Sequence, residues 1–524
     1  MAVEAARERT VTGSPARPRP GPIRWLPVLL GVAVTGFAGA LTRFGGPALF
    51  DPDEYAAALY FDRIVHHQRL ETILHSTPKP LLTLVHGISW QAFHTWLLGG
   101  ALTIAAFAVA VVTLARAAAR VSGPTAAVLV VLALAGSTPL LIQVARGNSM
   151  IWGIAWLGVA ADALAGRAPP DRRWGVAAAA LLLAGLSRSE AWMLLPFAAV
   201  HGLLAWRRGQ RQGLLLLLPL AAPALWFAHD WLLAGDPAYS ARMPERYTAA
   251  FAGFHPIPYR QWLAVFRHHH VRWWLDLLAL AGVAWLAARR AWVLLAGLAV
   301  LFAGVWLELA WYANQGIYIS PRYFILPDAT VTLAAAFGAA GPFDLLAAGS
   351  RRPPARPPWR WPAGWPRRGL RLAGVVAAAL LLVAAIKPLA PADPTLKGTL
   401  DDDTARARRA IVAIQTLRPL VREPDAVILT TSGLRNRIMA ELGMRVDRVL
   451  DLALVPKGPP GSRWLAPALA GASAVVDDGD PRYAALEINA PTRIGAVRLV
   501  PIRVDPALRL WILRVDRDAG AARR

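Results

Sequence analysis

The sequence predicts a polytopic α-helical membrane protein with a small C-terminal α/β domain outside the membrane. Three observations carry that reading. Hydrophobic residues make up 56% of the 524 residues and charged residues 17%, against roughly 45–50% and about 25% in soluble domains. The apolar residues fall in continuous runs, not in alternating strands of roughly ten residues, which excludes an outer-membrane barrel. From residue 391 onward the pattern changes to strand and helix segments in alternation.

The net charge of +23 would suit a nucleic-acid partner, but its distribution argues against one. All but four of the 56 basic residues are Arg, the exceptions being Lys79, Lys387, Lys397 and Lys457. Many of the Arg sit in short loops between apolar runs, where they orient helices in a bilayer. We therefore read no nucleic-acid interface. With no Cys, structural disulfides and thiolate metal sites are excluded.

Residues 1–24 form a basic N-terminal segment expected in the cytoplasm, ahead of a first apolar run at 25–41. Further runs lie at 95–115, 123–142, 149–165, 174–187, 190–206, 213–234, 272–288, 291–311, 322–340 and 370–389. About eleven spans follow, several shorter than the ~20 residues a helix needs to cross ~30 Å of hydrocarbon. With the N-terminus inside, the Arg-dense connections at 116–122, 166–173, 207–212, 289–290 and 341–369 all fall on the cytoplasmic side. The external side receives loops 43–94 and 235–271 of a membrane domain spanning 25–390, and the tail 391–524.

In that tail Ala405–Val421 reads as an amphipathic helix, Ala426–Thr431 as a strand and Leu434–Leu442 as a helix. A strand at Ala472–Asp477, a short helix at Arg482–Ile488, and β-rich runs at 494–504 and 507–515 complete an α/β pattern.

Ionisable groups at membrane depth are costly, so their positions are informative. His229, Asp230, Asp276, Glu308 and Asp328 all lie toward the external ends of their runs. Helix ends reaching the headgroups would place single acids there too; the shared bias points to polar chemistry at the outer face. The densest cluster opens the first external loop, with Asp51, Asp53, Glu54 and Tyr55 around Pro52, and Lys79 further on. Asp51 or Asp53 suits a helix cap or first turn, where the macrodipole favours carboxylates. The same carboxylates suit a general base at the lipid–water boundary, with Lys79, the sole Lys before residue 387, as the cation for a leaving group. His66, His67 and His75 could hold a divalent ion near Asp53; no cofactor is otherwise required.

One span followed by an external loop with Asp53-Glu54-Tyr55-Ala56-Ala57 resembles the GT-C superfamily of glycosyltransferases, nearest its protein O-mannosyltransferase and lipid A aminoarabinose transferase branch. Lys79-Pro80-Leu81 resembles that branch's Lys-Pro-Pro-Leu segment, although a single Pro follows Lys79 and Asp51 adds a carboxylate before the pair. Pro321-Arg322-Tyr323 resembles its Arg-Tyr motif, and Ser187-Arg188-Ser189-Glu190 its Thr-Arg-Pro-Glu turn. The resemblance covers roughly residues 20–340 and leaves the tail unmatched.

The resemblance implies an inverting transfer from a polyprenyl-phosphate-linked sugar to an envelope glycan, lipid or protein, at the outer face of a bacterial inner membrane. Asp53 would be the base and Glu54 would orient it or the acceptor. Lys79, Arg322 and Arg188 would face the donor phosphate, with Asp51, Tyr55, Glu308, Asp328 and Tyr323 near sugar or acceptor. An envelope-polymer polymerase or ligase, a lipid-linked-sugar flippase and a non-catalytic envelope scaffold are the rival readings.

Overall fold

The computed structural model describes residues 52–67, 77–93, 97–135, 137–165, 170–249, 256–261, 273–317, 319, 321–348, 394–423, 425–430, 434–444, 448–451, 466–478 and 486–517. The runs expected at 25–41 and 370–389 lie outside the described residues, as does most of the connection 341–369.

The segment 43–94, expected as the first external loop, contains two helices among its described residues, α1 (Pro52–Val65) and α2 (Pro80–Phe93). Each begins with Pro, whose missing N–H has no intrahelical partner at that position and whose φ is already helical. The two helices pack closely: a Cβ at Gly87 would come 2.1 Å from the Phe61 Cβ. Gln91 Nε2 also donates to Asp62 Oδ1 at 2.9 Å.

The membrane-type helices follow as α3 (Leu97–Ser122), α4 (Pro124–Ala135), α5 (Thr138–Ala145), α6 (Ser149–Ala165), α7 (Pro170–Ser187), α8 (Leu195–Arg207) and α9 (Ala221–Ala234). The run expected at 123–142 is divided between α4 and α5, with Pro139 in the first turn of α5. A 3-10 turn, Ser189–Leu194, precedes α8, and 3-10 geometry over Arg211–Leu220 precedes α9. In the latter the change follows Pro219, which cannot donate to the helical ladder.

The segment 235–271, expected as the second external loop, carries α10 (Tyr239–Tyr247). Beyond it run α11 (Trp273–Ala288), α12 (Trp292–Asn314) and, after a 3-10 turn at Pro321–Phe324, α13 (Ile325–Ala348). Helix α13 continues beyond 340, where falling hydropathy suggested a loop. Among the described residues Leu98–Ser122, Arg211–Ala234 and Trp292–Asn314 are long and apolar enough to cross a membrane, while Pro124–Ala135, Ser149–Ala165 and Trp274–Ala288 are apolar but shorter.

One buried cluster joins α3, α4, α6, α12 and α13 through residues such as Phe107, Val130, Ile151, Val305 and Phe337. Helices α11 and α13 meet backbone to backbone: a Cβ at Gly282 would lie 1.8 Å from the Ala334 carbonyl oxygen, and one at Gly338 2.0 Å from that of Leu278. Without water to expel, helices in lipid associate through such close contacts of small residues.

The tail comprises α14 (Pro394–Leu417), β1 (Ile428–Thr430), α15 (Arg435–Leu442), β2 (Val449–Asp451), α16 (Ala466–Gly471), β3 (Ala474–Asp477), β4 (Thr492–Ile494), β5 (Val497–Asp505) and β6 (Leu510–Arg517). They form one six-stranded sheet in the order β2-β1-β3-β6-β5-β4. β1 pairs parallel with β2 and β3, and β6 joins the two halves antiparallel to β3 and β5. Of the helix expected at Arg482–Ile488, residues 482–485 lie outside the described residues.

The sheet domain does not stand apart from α1. Tyr55, Leu59 and Tyr60 of α1 share a buried cluster with Ala410, Ile414 and Leu417 of α14, and with Ile438 and Met439 of α15.

Candidate active site

Where α7 ends, Arg188 leaves the helix in extended conformation, φ −150° and ψ 128°, and the 3-10 turn begins. The side chain turns back on Glu190: Nε donates to Oε2 at 3.0 Å, and a terminal guanidinium nitrogen to Oε1. The other terminal nitrogen reaches Ser149 Oγ at the start of α6, 3.4 Å away. Both side chains are 8% exposed. A fork of this kind fixes the planes of both groups. Gly153 makes room for it, since a Cβ there would stand 3.0 Å from the Arg188 Cγ.

A second anchored carboxylate comes from α9. Asp230, 1% exposed, accepts from the Ser240 backbone N–H and from Ser240 Oγ, each at 2.7 Å. His229 Nδ1 lies 3.5 Å from the same carboxylate. The Ser240 hydroxyl is also 3.4 Å from the Pro78 carbonyl oxygen, immediately before Lys79. The segments on either side of this contact are thus pinned together beside the buried Lys79. Burial pushes the neighbouring Tyr239 phenol up to about 12, so it stays neutral at physiological pH.

Lys79, Arg188, Glu190, Asp230 and Ser240 line one cavity of about 500 Å³, bounded on the α12 side by Glu308, Tyr312 and Trp311 and elsewhere by Trp192, Trp226 and Tyr323. Glu308 and Tyr312 stand one turn apart on α12. Trp192 meets Trp226 edge-on with ring centroids 5.5 Å apart and donates its indole N–H to the Gly185 carbonyl at 2.9 Å. The volume falls in the range of about 300–1,000 Å³ usual for small-molecule sites. Its charged lining groups among the described residues are two cations and four carboxylates, set among indole faces.

Of the residues singled out by sequence, Lys79, Arg188, Glu308 and Tyr323 come together in this cavity. Asp53 and Glu54 occupy the first turn of α1, but their side chains lie outside the described residues, as do those of Asp51, His75 and Arg322. Tyr55 is elsewhere, 2% exposed and beneath the guanidinium of Arg437. Asp328 sits in the first turn of α13 and is not among the cavity's lining residues. His66 is exposed, with Nδ1 3.2 Å from Asp62 Oδ1. Among the described residues no group of three or more His, Asp or Glu could hold a metal ion.

Sequence reasoning did not select Glu190, Asp230, Ser240 or Tyr312 for the site. The Arg-x-Glu spacing at 188–190 and the Glu-x-x-x-Tyr spacing at 308–312 were the available signals. The Asp230–Ser240 bond had none, because it depends on how the second external loop folds back.

No family model and no curated protein matches the chain. Solved structures do. ArnT from Cupriavidus metallidurans bound to undecaprenyl phosphate aligns with TM-score 0.53 at 13% identity, covering 94% of this chain and 98% of that one. The chain has the GT-C fold. ArnT in the apo state gives a TM-score of 0.52 at 15% identity, over 93% of this chain and 97% of that one. The Archaeoglobus fulgidus oligosaccharyltransferase tethered with an acceptor peptide gives 0.52 at 13% identity, over 86% and 69%. At these identities what the GT-C proteins share is the fold, and a further structure of that oligosaccharyltransferase is a complex with Zn and sulfate.

Proposed function

We propose that the protein is a membrane glycosyltransferase that moves a sugar from a polyprenyl-phosphate donor to an envelope acceptor, at the outer face of a bacterial cytoplasmic membrane. The observation that carries this reading is the cavity in which buried Lys79 meets the Arg188–Glu190 fork, Glu308 and indole walls. A cation beside carboxylates and aromatic faces suits a phosphate with a sugar attached. Pyranose C–H faces stack on indoles while hydroxyls bond to carboxylates.

In this reading Asp53 takes the proton of the acceptor hydroxyl as its oxygen attacks the anomeric carbon. The bond to the polyprenyl phosphate breaks on the opposite face, inverting the centre. General base catalysis of this kind contributes roughly 10²–10⁴-fold. Lys79 and Arg322 offset the charge that grows on the leaving phosphate. Arg188, held by Glu190, serves chiefly to fix that carboxylate in the wall. Glu54 orients the base, while Glu308 and Tyr323 meet the sugar. A metal enters no step.

The test is mass spectrometry of polyprenyl-phosphate-sugars and envelope glycans from cells making wild-type protein or Asp53→Asn at equal level. We expect one lipid-linked sugar to accumulate and the same sugar to vanish from one glycan. Unchanged pools in both compartments would remove the transferase reading.

A further inference from the structure

A second cavity, of about 920 Å³, opens between α3, α6, α8, α12 and α13. Its wall is mostly aliphatic, with Leu157, Leu204 and Leu298 among the lining residues beside Phe197, His201, Trp292 and Thr330. One end is rimmed by Arg120, Arg289 and Arg290. We infer that this cavity is a binding site for an anionic glycerophospholipid, with acyl chain along the aliphatic wall and phosphate at the Arg289–Arg290 turn. The inference does not rest on the transferase reading.

Position separates this site from the Lys79 cavity. Arg289 and Arg290 immediately precede α12, whereas Glu308 and Tyr312 of the first cavity lie toward its other end. At 1.5 Å per residue, Trp292 and Glu308 are about 24 Å apart along that axis. A lipid whose phosphate sits by Lys79 cannot place the same phosphate at Arg290, so the Arg rim calls for a different headgroup.

The rim charges do not cancel. Asp162 is paired with Arg120 at 2.6 Å and with Arg116 at 3.4 Å, and the carboxylate of Asp344 acts on Arg289. Arg289 Nε donates to the Val121 carbonyl at 3.0 Å and its guanidinium lies 5.6 Å from the Trp285 ring centroid. Among the described residues no acid is paired with Arg290, which is exposed at φ 54°. Counting Arg116, which stands behind the rim, the described residues set four Arg against two Asp and leave a net positive mouth over an apolar slot, the pattern by which basic pockets between membrane helices take lipid headgroups.

The cavity also shows how to close it. Gly297 lines the wall, and a Cβ there meets nothing within 4 Å. A larger side chain at 297 would occupy the slot without displacing backbone.

The experiment is native mass spectrometry of the full chain in detergent, titrated with phosphatidylglycerol or phosphatidylcholine of equal chain length. We expect one phosphatidylglycerol to be retained at least tenfold more tightly than phosphatidylcholine. Gly297→Leu should abolish that retention, and Arg289→Gln with Arg290→Gln should bring it to the phosphatidylcholine level. Unfolding temperatures of the variants, taken without lipid, should match wild type and so exclude misfolding as the cause. Equal retention of the two lipids, or retention unchanged in Gly297→Leu, overturns the inference. So does displacement of the bound lipid by polyprenyl phosphate with loss sensitive to Lys79→Gln.

Discussion

The guanidinium of Arg437, on the tail helix α15, lies over the ring of Tyr55, 5.5 Å from its centroid. Tyr55 stands two residues after Asp53, so a residue of the tail is set against the helix that begins the proposed catalytic loop. Arg437 Nε also donates to Glu441 Oε1 at 2.7 Å, which holds the guanidinium in place. A desolvated cation–π pair contributes up to about 2 kcal/mol. We expect Arg437→Ala to lower the unfolding temperature by several degrees, with Arg437→Lys intermediate, followed by intrinsic Trp fluorescence in detergent. An unaltered temperature would mean that the stacking contributes nothing.

Glu190→Gln removes the carboxylate onto which the buried Arg188 forks. Breaking such a pair from one side costs about 3–5 kcal/mol, enough to deplete folded protein. Removing both charges, Arg188→Met with Glu190→Gln, should recover much of the loss. A double-mutant cycle on unfolding temperature and detergent-soluble yield measures the coupling.

Lys79→Gln should weaken binding of polyprenyl phosphate by about tenfold or more, as loss of a charge-assisted contact of ~1.5–3 kcal/mol implies. Lys79→Arg should retain most of it. Titration of tryptophan quenching suits this site, because Trp192, Trp226 and Trp311 line the same cavity. Equal affinities for wild type and Lys79→Gln would take Lys79 out of phosphate recognition.

Ser240→Ala removes one of the two short bonds to Asp230 and the link to the Pro78 carbonyl. The expected cost is about 1.5–3 kcal/mol, because the acceptor is a carboxylate. Hydrogen exchange should rise in both external loops together. A rise confined to α10 would show that the loops are not coupled through this residue.

Gly282→Ala places a methyl group inside the Ala334 carbonyl, so α11 and α13 must separate. We expect loss of monodisperse protein on size exclusion, whereas Gly297→Ala should be silent.

Helix positions were legible from hydropathy, because a bilayer demands long apolar runs and leaves few alternatives. Their interruptions were less so: the 3-10 segments at Ser189–Leu194 and Arg211–Leu220 run on into apolar residues after a polar start, and periodicity does not separate them from α-helix. In the tail, β5 and β6 showed as β-rich runs, while β2 and β4, three residues each, are too short to carry a pattern. In the site, Lys79 and Arg188 stood out as a rare residue type and a charged turn between apolar runs. Asp230 showed as an acid at a helix end, but its bond to Ser240 depends on tertiary folding.

The burial of α1 against α14 and α15 also bears on how the protein is made. Helix α1 emerges from the ribosome early, yet Tyr55, Leu59 and Tyr60 share their buried cluster with Leu233, Tyr239 and Met243 and, more than three hundred positions later, with residues at 410–439. Until the tail is made, that face is only partly covered. The proposed catalytic helix therefore reaches its full packing only after the tail has folded against it. A ribosome stalled before residue 410 would yield a bundle with this helix only partly packed, so premature termination should give inert fragments rather than a partly active enzyme.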